Sequence, residues 1–242
     1  MNELMYQKFH EVQKKHWWFR VKKNIVMDYV KRYISSNKCR KVLDVGCGSG
    51  LMLDGLQQIG EVSGVDQSGE AVLYSKKNYL GKVKIGSLPN EIPFNDNYFN
   101  LITALDVIEH IEDDINSLRK IRDLLVDGGI SIITVPAYMF LWSEFDELNM
   151  HKRRYTKNEL IRKLEISGLK IIKISYYNTF LFPMIFIIRK AKKILKISST
   201  NELKIPNPYL NKLLESIFMM EKFYLKIFSF PFGTSIIAVV KK

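Results

Sequence analysis

The chain has 242 residues, enough to bury a full core as one domain with insertions, and its 47% hydrophobic content suits a globular fold rather than a disordered one. Two cysteines exclude a disulfide framework, and no apolar run reaches the ~20 residues that a bilayer span needs. The net charge of +12 is lopsided: residues 1–150 hold 18 Lys/Arg against 20 Asp/Glu, while residues 151–242 hold 19 against 5. An excess of that size in the last third points to an anionic partner there, such as lipid headgroups, a phosphorylated substrate or RNA.

The start, Met1-Asn2-Glu3-Leu4, has no charged and apolar signal regions, so a cytoplasmic location is expected. Cys39 and Cys47 are expected to stay reduced there. The first expected helix covers Glu3 to Lys15, with Leu4, Phe9 and Val12 as candidate buried positions. His16-Trp17-Trp18-Phe19-Arg20 follows, and a second helix is expected from Val21 to Ile34. Adjacent tryptophans cannot share one face of a helix. They serve either the packing of a helix pair or a lid whose aromatic faces attract a cation.

Lys41 to Val45 reads as a short strand running into Gly46-Cys47-Gly48-Ser49-Gly50, with a helix over Leu51 to Leu56. Glycines let a ligand approach the main chain and tolerate positive φ, and a helix N-terminus offers N–H donors to an anion. Asp44 adds a carboxylate for an ammonium group. A dinucleotide turn spaces its glycines G-x-G-x-x-G; here the order is Asp44-x-Gly46-x-Gly48-x-Gly50, which argues against NAD. Glu61 to Val65 is the next strand, and Asp66 at its end is placed to grip ribose hydroxyls.

Those two motifs together resemble class I S-adenosylmethionine (SAM) methyltransferases. The resemblance implies an α/β fold: a Rossmann-like, seven-stranded mixed sheet with helices on both faces, closed by an antiparallel hairpin. It implies SAM as cofactor, held by Asp44, Gly46, Cys47, Gly48, Gly50, Asp66 and Gln67. After a helix over Gly69 to Tyr79 and a strand over Lys82 to Ile85, the family often places an adenine-reading Asp. Ser87 stands there instead, which leaves the contact to the Leu88 main chain. Phe99-Asn100-Leu101-Ile102 resembles the family's fourth strand, with Asn100 in place of its usual Asp. Leu105 and Asp106, at that strand's end, are expected to border the methionine half of SAM.

His110 falls in the next turn, ahead of a helix over Asp114 to Leu125. Gly128-Gly129 then turns the chain into a fifth strand, Ile130 to Val135. His151-Lys152-Arg153-Arg154-Tyr155-Thr156 precedes a helix that Thr156 caps with Glu159 three residues on. This stretch and His-Trp-Trp-Phe-Arg are both similar to stretches in a subgroup of bacterial methyltransferases. The resemblance implies that Trp18, Arg153, Arg154 and Tyr155 face the acceptor, the arginines clasping a phosphate or carboxylate. His110, His151 or Asp106 would take the acceptor's proton. His10, His16, His110 and His151 form no tight cluster in sequence, so no metal is expected.

Leu169 to Tyr177 and Ser235 to Val240 read as strands six and seven, with an insertion between them. Phe180 to Ile188 is unbrokenly apolar and runs into Arg189-Lys190-Ala191-Lys192-Lys193-Ile194-Leu195-Lys196. That pattern suits either a helix in a membrane interface or a cap packed on the domain. A second insertion helix is expected over Tyr209 to Phe228. The whole reads as one methyltransferase domain: an N-terminal helical lid (1–37), a SAM-binding core (38–177), an insertion (178–233) and a last strand (234–242). The expected activity is methyl transfer to a small or lipid-linked acceptor, such as a sugar, glycolipid or quinone-like compound, with peripheral membrane contact through 180–196 as an open option. RNA or protein methylation, and SAM binding without catalysis, are the alternatives.

Overall fold

A computed structural model describes residues 3–34, 40–79, 82–195 and 204–242. Its core is one seven-stranded sheet. β1 (Lys41–Val45), β2 (Glu61–Asp66), β3 (Lys82–Ile85), β4 (Phe99–Leu105) and β5 (Leu125–Pro136) run parallel, while β7 (Ser235–Lys241) is antiparallel to both β5 and β6 (Lys170–Tyr177). The strand order is β3-β2-β1-β4-β5-β7-β6. The four residues of β1 after Lys41 are all buried, as expected of a strand covered on both faces. Because β2 lies on one side of β1 and β4 on the other, the chain switches direction there, which opens a crevice at the strands' C-terminal ends. This is the Rossmann-like α/β fold that the motifs imply.

The strands fall where sequence places them, to within a residue or two, except β5. It already pairs at Leu125, and residues 126–129 bulge out before pairing resumes at Ile130. Gly128 and Gly129 therefore make a bulge inside a strand rather than a turn before one. Gly128 takes φ +77, while a side chain at Gly129 would strike the Val126 carbonyl at 2.8 Å.

Three helices differ more. α1 (Glu3–Lys15) keeps its expected bounds, but its buried residue is His10, with Phe9 and Val12 half-buried; the Leu4 side chain lies outside the described residues. α2 (Trp17–Tyr33) starts four residues earlier than expected, since the His16 ring accepts the Trp18 N–H and caps it. The Trp-Trp pair is thus its first turn, not a break before it. α3 (Leu53–Leu56) is a single turn, because the chain has only four residues after Leu56 in which to return to β2. It is too short to present a helix dipole to a ligand.

The remaining helices are α4 (Gly69–Asn78), α5 (Asp114–Leu124), α6 (Glu144–Leu148), α7 (Lys157–Ile166), α8 (Phe182–Ile194) and α9 (Pro208–Ile227). α9 packs along α2, so the insertion meets the N-terminal helices. Trp18 is the joint. Its ring stacks on Tyr177 of β6 at 5.9 Å and on Phe218 of α9 at 5.3 Å, while Trp17 meets Phe218 edge-on.

Stacked aromatic pairs contribute about 0.5–1.5 kcal/mol each beyond burial. Trp18→Ala removes two of them, so we predict a loss of roughly 1–3 kcal/mol on top of the lost burial, felt first where α2 meets α9. Hydrogen exchange should quicken at amides of Trp17–Tyr33 and Pro208–Ile227 while β1, β4 and β5 keep their protection. Uniform loosening of the sheet would show that Trp18 is an ordinary core residue.

Candidate active site

The glycine turn sits at the crevice, but its glycines do not all serve a ligand. A Cβ on Gly46 would fall 2.5 Å from the Val107 Cγ2, and one on Gly50 would fall 2.2 Å from the Tyr79 ring. Both make room for the protein's own side chains. Gly48 faces open space, at φ +52, and its N–H donates to Asp66 Oδ2 at 2.8 Å. The other carboxylate oxygen of Asp66 accepts from Ser68 N at 2.9 Å. Asp66 thus fastens the turn to the end of β2.

A cavity of about 530 Å³ runs from this turn across the ends of β1 and β4. Asp44, Gly46, Cys47, Leu105 and Asp106 line it. β1 and β4 pair Asp44 with Thr103, whose hydroxyl donates to Asp44 Oδ1 at 2.6 Å. Burial pushes the Asp44 carboxyl up to about 7, against that bond and the Lys22 charge. A buried acid with so little compensation fits a cationic ligand such as an amino-acid ammonium. Cys47 is a buried free thiol, raised well above its usual range by burial and by Asp44.

The N-terminal helices close this end. His10 bridges the Ser49 hydroxyl at 3.0 Å and the Tyr79 hydroxyl at 3.2 Å, tying α1 to the glycine turn. Lys22 reaches Asp106 Oδ2 at 2.6 Å, and Lys23 donates to the Leu51 carbonyl at 2.7 Å. Asp106 adopts φ +56, and its other oxygen accepts from Thr134 at 2.8 Å. Burial would raise this carboxyl, but Lys22 and Thr134 hold it below its ordinary value. Trp17, Trp18 and Phe19 line the cavity from the same helix.

At the far end His110 and His151, 41 residues apart, meet edge to face at 4.6 Å. His151 Nδ1 lies 2.8 Å from Asp146 Oδ1, and Asp146 is fully buried. Arg154 grips the same carboxylate with Nε at 2.8 Å and Nη2 at 2.9 Å. Although burial would raise it, His151 and Arg154 hold Asp146 well below the carboxylate range. Burial above all, with His151 close by, lowers the His110 ring below its ordinary value. Glu109 is fully buried on the cavity wall, and neither of its carboxyl oxygens has a hydrogen-bond partner among the described residues. Burial and Asp106 push it well above its usual range. Ligand atoms of Glu109, His110 and His151 lie within 4.8 Å of one another, a set that could hold a divalent cation. Their distance in sequence hid that cluster; Glu109, Lys22 and Asp146 were missed as well.

The two arginines do not act as a pair. Arg154 points inward to Asp146, while Arg153 turns away to Asp114 at 3.1 Å and Glu112 at 3.3 Å and is not on the cavity wall. Tyr155 is fully buried, and its hydroxyl donates to Asp114 at 2.9 Å, so it belongs to the core rather than to an acceptor site. Arg154 does line the cavity, as do Lys22 and Lys23 of α2, and α8 adds Arg189 and Lys192. Asp66, Gly48 and Gly50 back the turn without lining the cavity. Beyond it Gln67 is exposed, Ser87 donates to Glu91 at 2.9 Å and Leu88 is buried.

Comparison with known proteins agrees with the fold. A family model described as a methyltransferase domain matches residues 14–174. Over 157 residues, 58% of this chain and 60% of the relative, the sequence is 25% identical to the ubiquinone biosynthesis O-methyltransferase of Nitrosomonas europaea. The protein of the same name from Pelagibacter ubique is 31% identical over 133 residues, covering 50% and 54%. The chain spans about half the length of the curated relatives it matches. Among solved structures, an S-adenosylmethionine dependent methyltransferase from Mesorhizobium loti superposes with a TM-score of 0.60 at 12% identity, over 89% of this chain and 96% of that one.

An ammonium group pairs with the ionised form of Asp44. With that carboxyl at about 7 in the free protein, roughly a tenth of it is ionised at pH 6 and nine-tenths at pH 8, so SAM affinity should fall by up to about tenfold as the pH drops from 8 to 6. Asp44→Asn should bind weakly with no such slope. Calorimetry giving a flat wild-type profile would remove Asp44 from the ammonium contact.

Proposed function

The chain belongs to the class I SAM-dependent methyltransferases, and from that premise we propose that it methylates an oxygen of a small or lipid-linked acceptor. The observation that carries this reading is one continuous cavity with two unlike ends. Asp44 and the glycine turn stand at one end, and the His110–His151 pair backed by Asp146 stands at the other. SAM, when bound, supplies an electrophilic methyl group on a sulfonium centre. Catalysis by the chain would then rest on alignment, exclusion of water and removal of one proton.

His151 is the residue we assign to the proton. The bond from Nδ1 to Asp146 orients the ring and leaves Nε2 as the nitrogen that would take the acceptor's proton. His110, in contact with that ring, would orient the hydroxyl. Asp106 is a poor base, since Lys22 and Thr134 already hold its charge; through Lys22 it anchors the lid, and it would border the methionine end of SAM.

The acceptor class is supported by the wall and by the relatives. Phe145, Ile185 and Ile188 give the acceptor end an apolar side, and Arg189 with Lys192 would meet a phosphate or carboxylate at its rim. The two curated relatives described above are named for O-methylation in ubiquinone biosynthesis. A quinone-like phenol is therefore the first candidate, ahead of a sugar or glycolipid.

The test is turnover with labelled SAM against quinone-like phenols, sugar nucleotides, glycolipids and RNA, with mass spectrometry of the product. A methyl ether on a small or lipid-linked molecule is expected, and label in RNA alone would overturn the reading. His151→Gln should lower kcat about 10²–10³-fold at unchanged SAM affinity, and Arg153→Ala should leave both near wild type. Equal losses in the two variants would place the proton acceptor elsewhere.

A further inference from the structure

α8 is amphipathic the wrong way round for a helix of a soluble domain. None of its residues is buried. At 100° per residue, Pro183, Met184, Ile187, Ile188, Ala191 and Ile194 share one arc about 140° wide, and all six are exposed. Ile187 is 64% exposed and Ile194 71%, far more than an apolar residue on a packed face. Lys190 and Lys193 flank the arc on one side, Arg189 and Lys192 on the other, and the helix has no acidic residue.

The patch does not end with the helix. Phe140 meets Phe186 edge-on at 5.8 Å, and Arg189 donates to the Leu141 carbonyl at 2.7 Å, which fixes the short turn Met139–Leu141 beside α8. Met139 and Phe140 of that turn are 55% and 61% exposed. Ile188, Arg189 and Lys192 also line the cavity, so this apolar surface runs to its mouth. Among the described residues no helix is long and apolar enough to cross a membrane.

We propose that α8 and the Met139–Leu141 turn dock on the surface of an anionic phospholipid bilayer. The apolar arc would enter the boundary between headgroups and acyl chains, with the flanking lysines against lipid phosphates. Charge selects this occupant. A second copy of the chain would set one cluster of cations against another, whereas an anionic surface complements them and the +14 excess of residues 151–242. The cavity mouth then faces the bilayer, so an acceptor anchored in lipid could enter without crossing water. That consequence rests on the proposed function; the docking itself does not.

The purified chain is floated with vesicles of phosphatidylglycerol mixed equally with phosphatidylcholine, and with phosphatidylcholine alone, at low and high salt. SAM affinity and turnover on a soluble acceptor are measured on the same samples. Binding to the anionic vesicles that weakens with salt is expected. Lys190→Gln with Lys193→Gln should weaken it roughly 25-fold, about fivefold per charge. Ile187→Asp with Ile194→Asp should abolish it at unchanged SAM affinity, since neither side chain is buried or on the cavity wall. No anionic binding, or binding that the Asp variant keeps, overturns the proposal. So does a wild-type dimer that the Asp variant dissolves without any vesicle binding. Docking without turnover on any acceptor would instead count against the proposed function alone.

Discussion

Three acids crowd the crevice between β1 and β4, and the molecule is arranged around neutralising them. Asp44 and Asp106 sit at the ends of adjacent strands, and Glu109 follows one turn later with no hydrogen-bond partner for its carboxyl group among the described residues. Like charges in a poorly solvated site cannot all ionise. The structure divides the burden: Lys22 secures the charge of Asp106, Asp44 is poised near neutrality, and Glu109 is driven toward its protonated form. The N-terminal helices are therefore more than a cover. Without Lys22 the Asp106 carboxylate would lose its ion pair and keep the Thr134 hydrogen bond, so the docked position of α2 bears on the charge state of the site. A cationic cofactor enters the same balance, adding the positive charge that Asp44 lacks.

The lid is held to the insertion as firmly as to the core. Trp18 stacks between β6 and α9, and Glu221 of α9 accepts the Phe180 N–H at 2.7 Å, clamping the chain just before α8. Burial raises Glu221 to about 7 against those main-chain bonds. Two segments far apart in sequence, the N-terminal helices and α9, thus pack together. Arg20 with Glu215, the Trp17 N–H with Asn211 and Asp28 with Lys222 and Lys226 join the same two segments beside the Trp18–Phe218 stack.

Much of this was legible in the residues. Short β-branched runs gave the strands, and the spacing of Asp44, three glycines and Asp66 named the cofactor class. What escaped was contact between distant segments: Lys22 with Asp106, and His110 with His151, cannot be read from local spacing. The arginine pair was misread for a local reason that was available. Residues 151–154 carry no helical or sheet assignment ahead of Tyr155, which bridges to Ala137, and in extended chain neighbouring side chains alternate. Arg153 and Tyr155 both reach Asp114, while Arg154 between them turns to Asp146. Adjacent arginines on extended chain cannot clasp one anion; arginines two apart can.

The same alternation explains why Asp146 had to be found in the structure. It has the sequence features of an exposed helix start: the N3 position of a capping box, whose carboxylate takes the Ser143 N–H at 2.8 Å. Yet it is fully buried, and that one carboxylate also binds His151 and Arg154. A cap residue here sets the orientation of the histidine best placed to take a proton. α6 consequently serves the site by its first turn alone. Its outer residue Leu148 and the following Met150 stay 59% and 72% exposed, so the wall that fixes the chemistry is also a wall with apolar side chains turned to the outside.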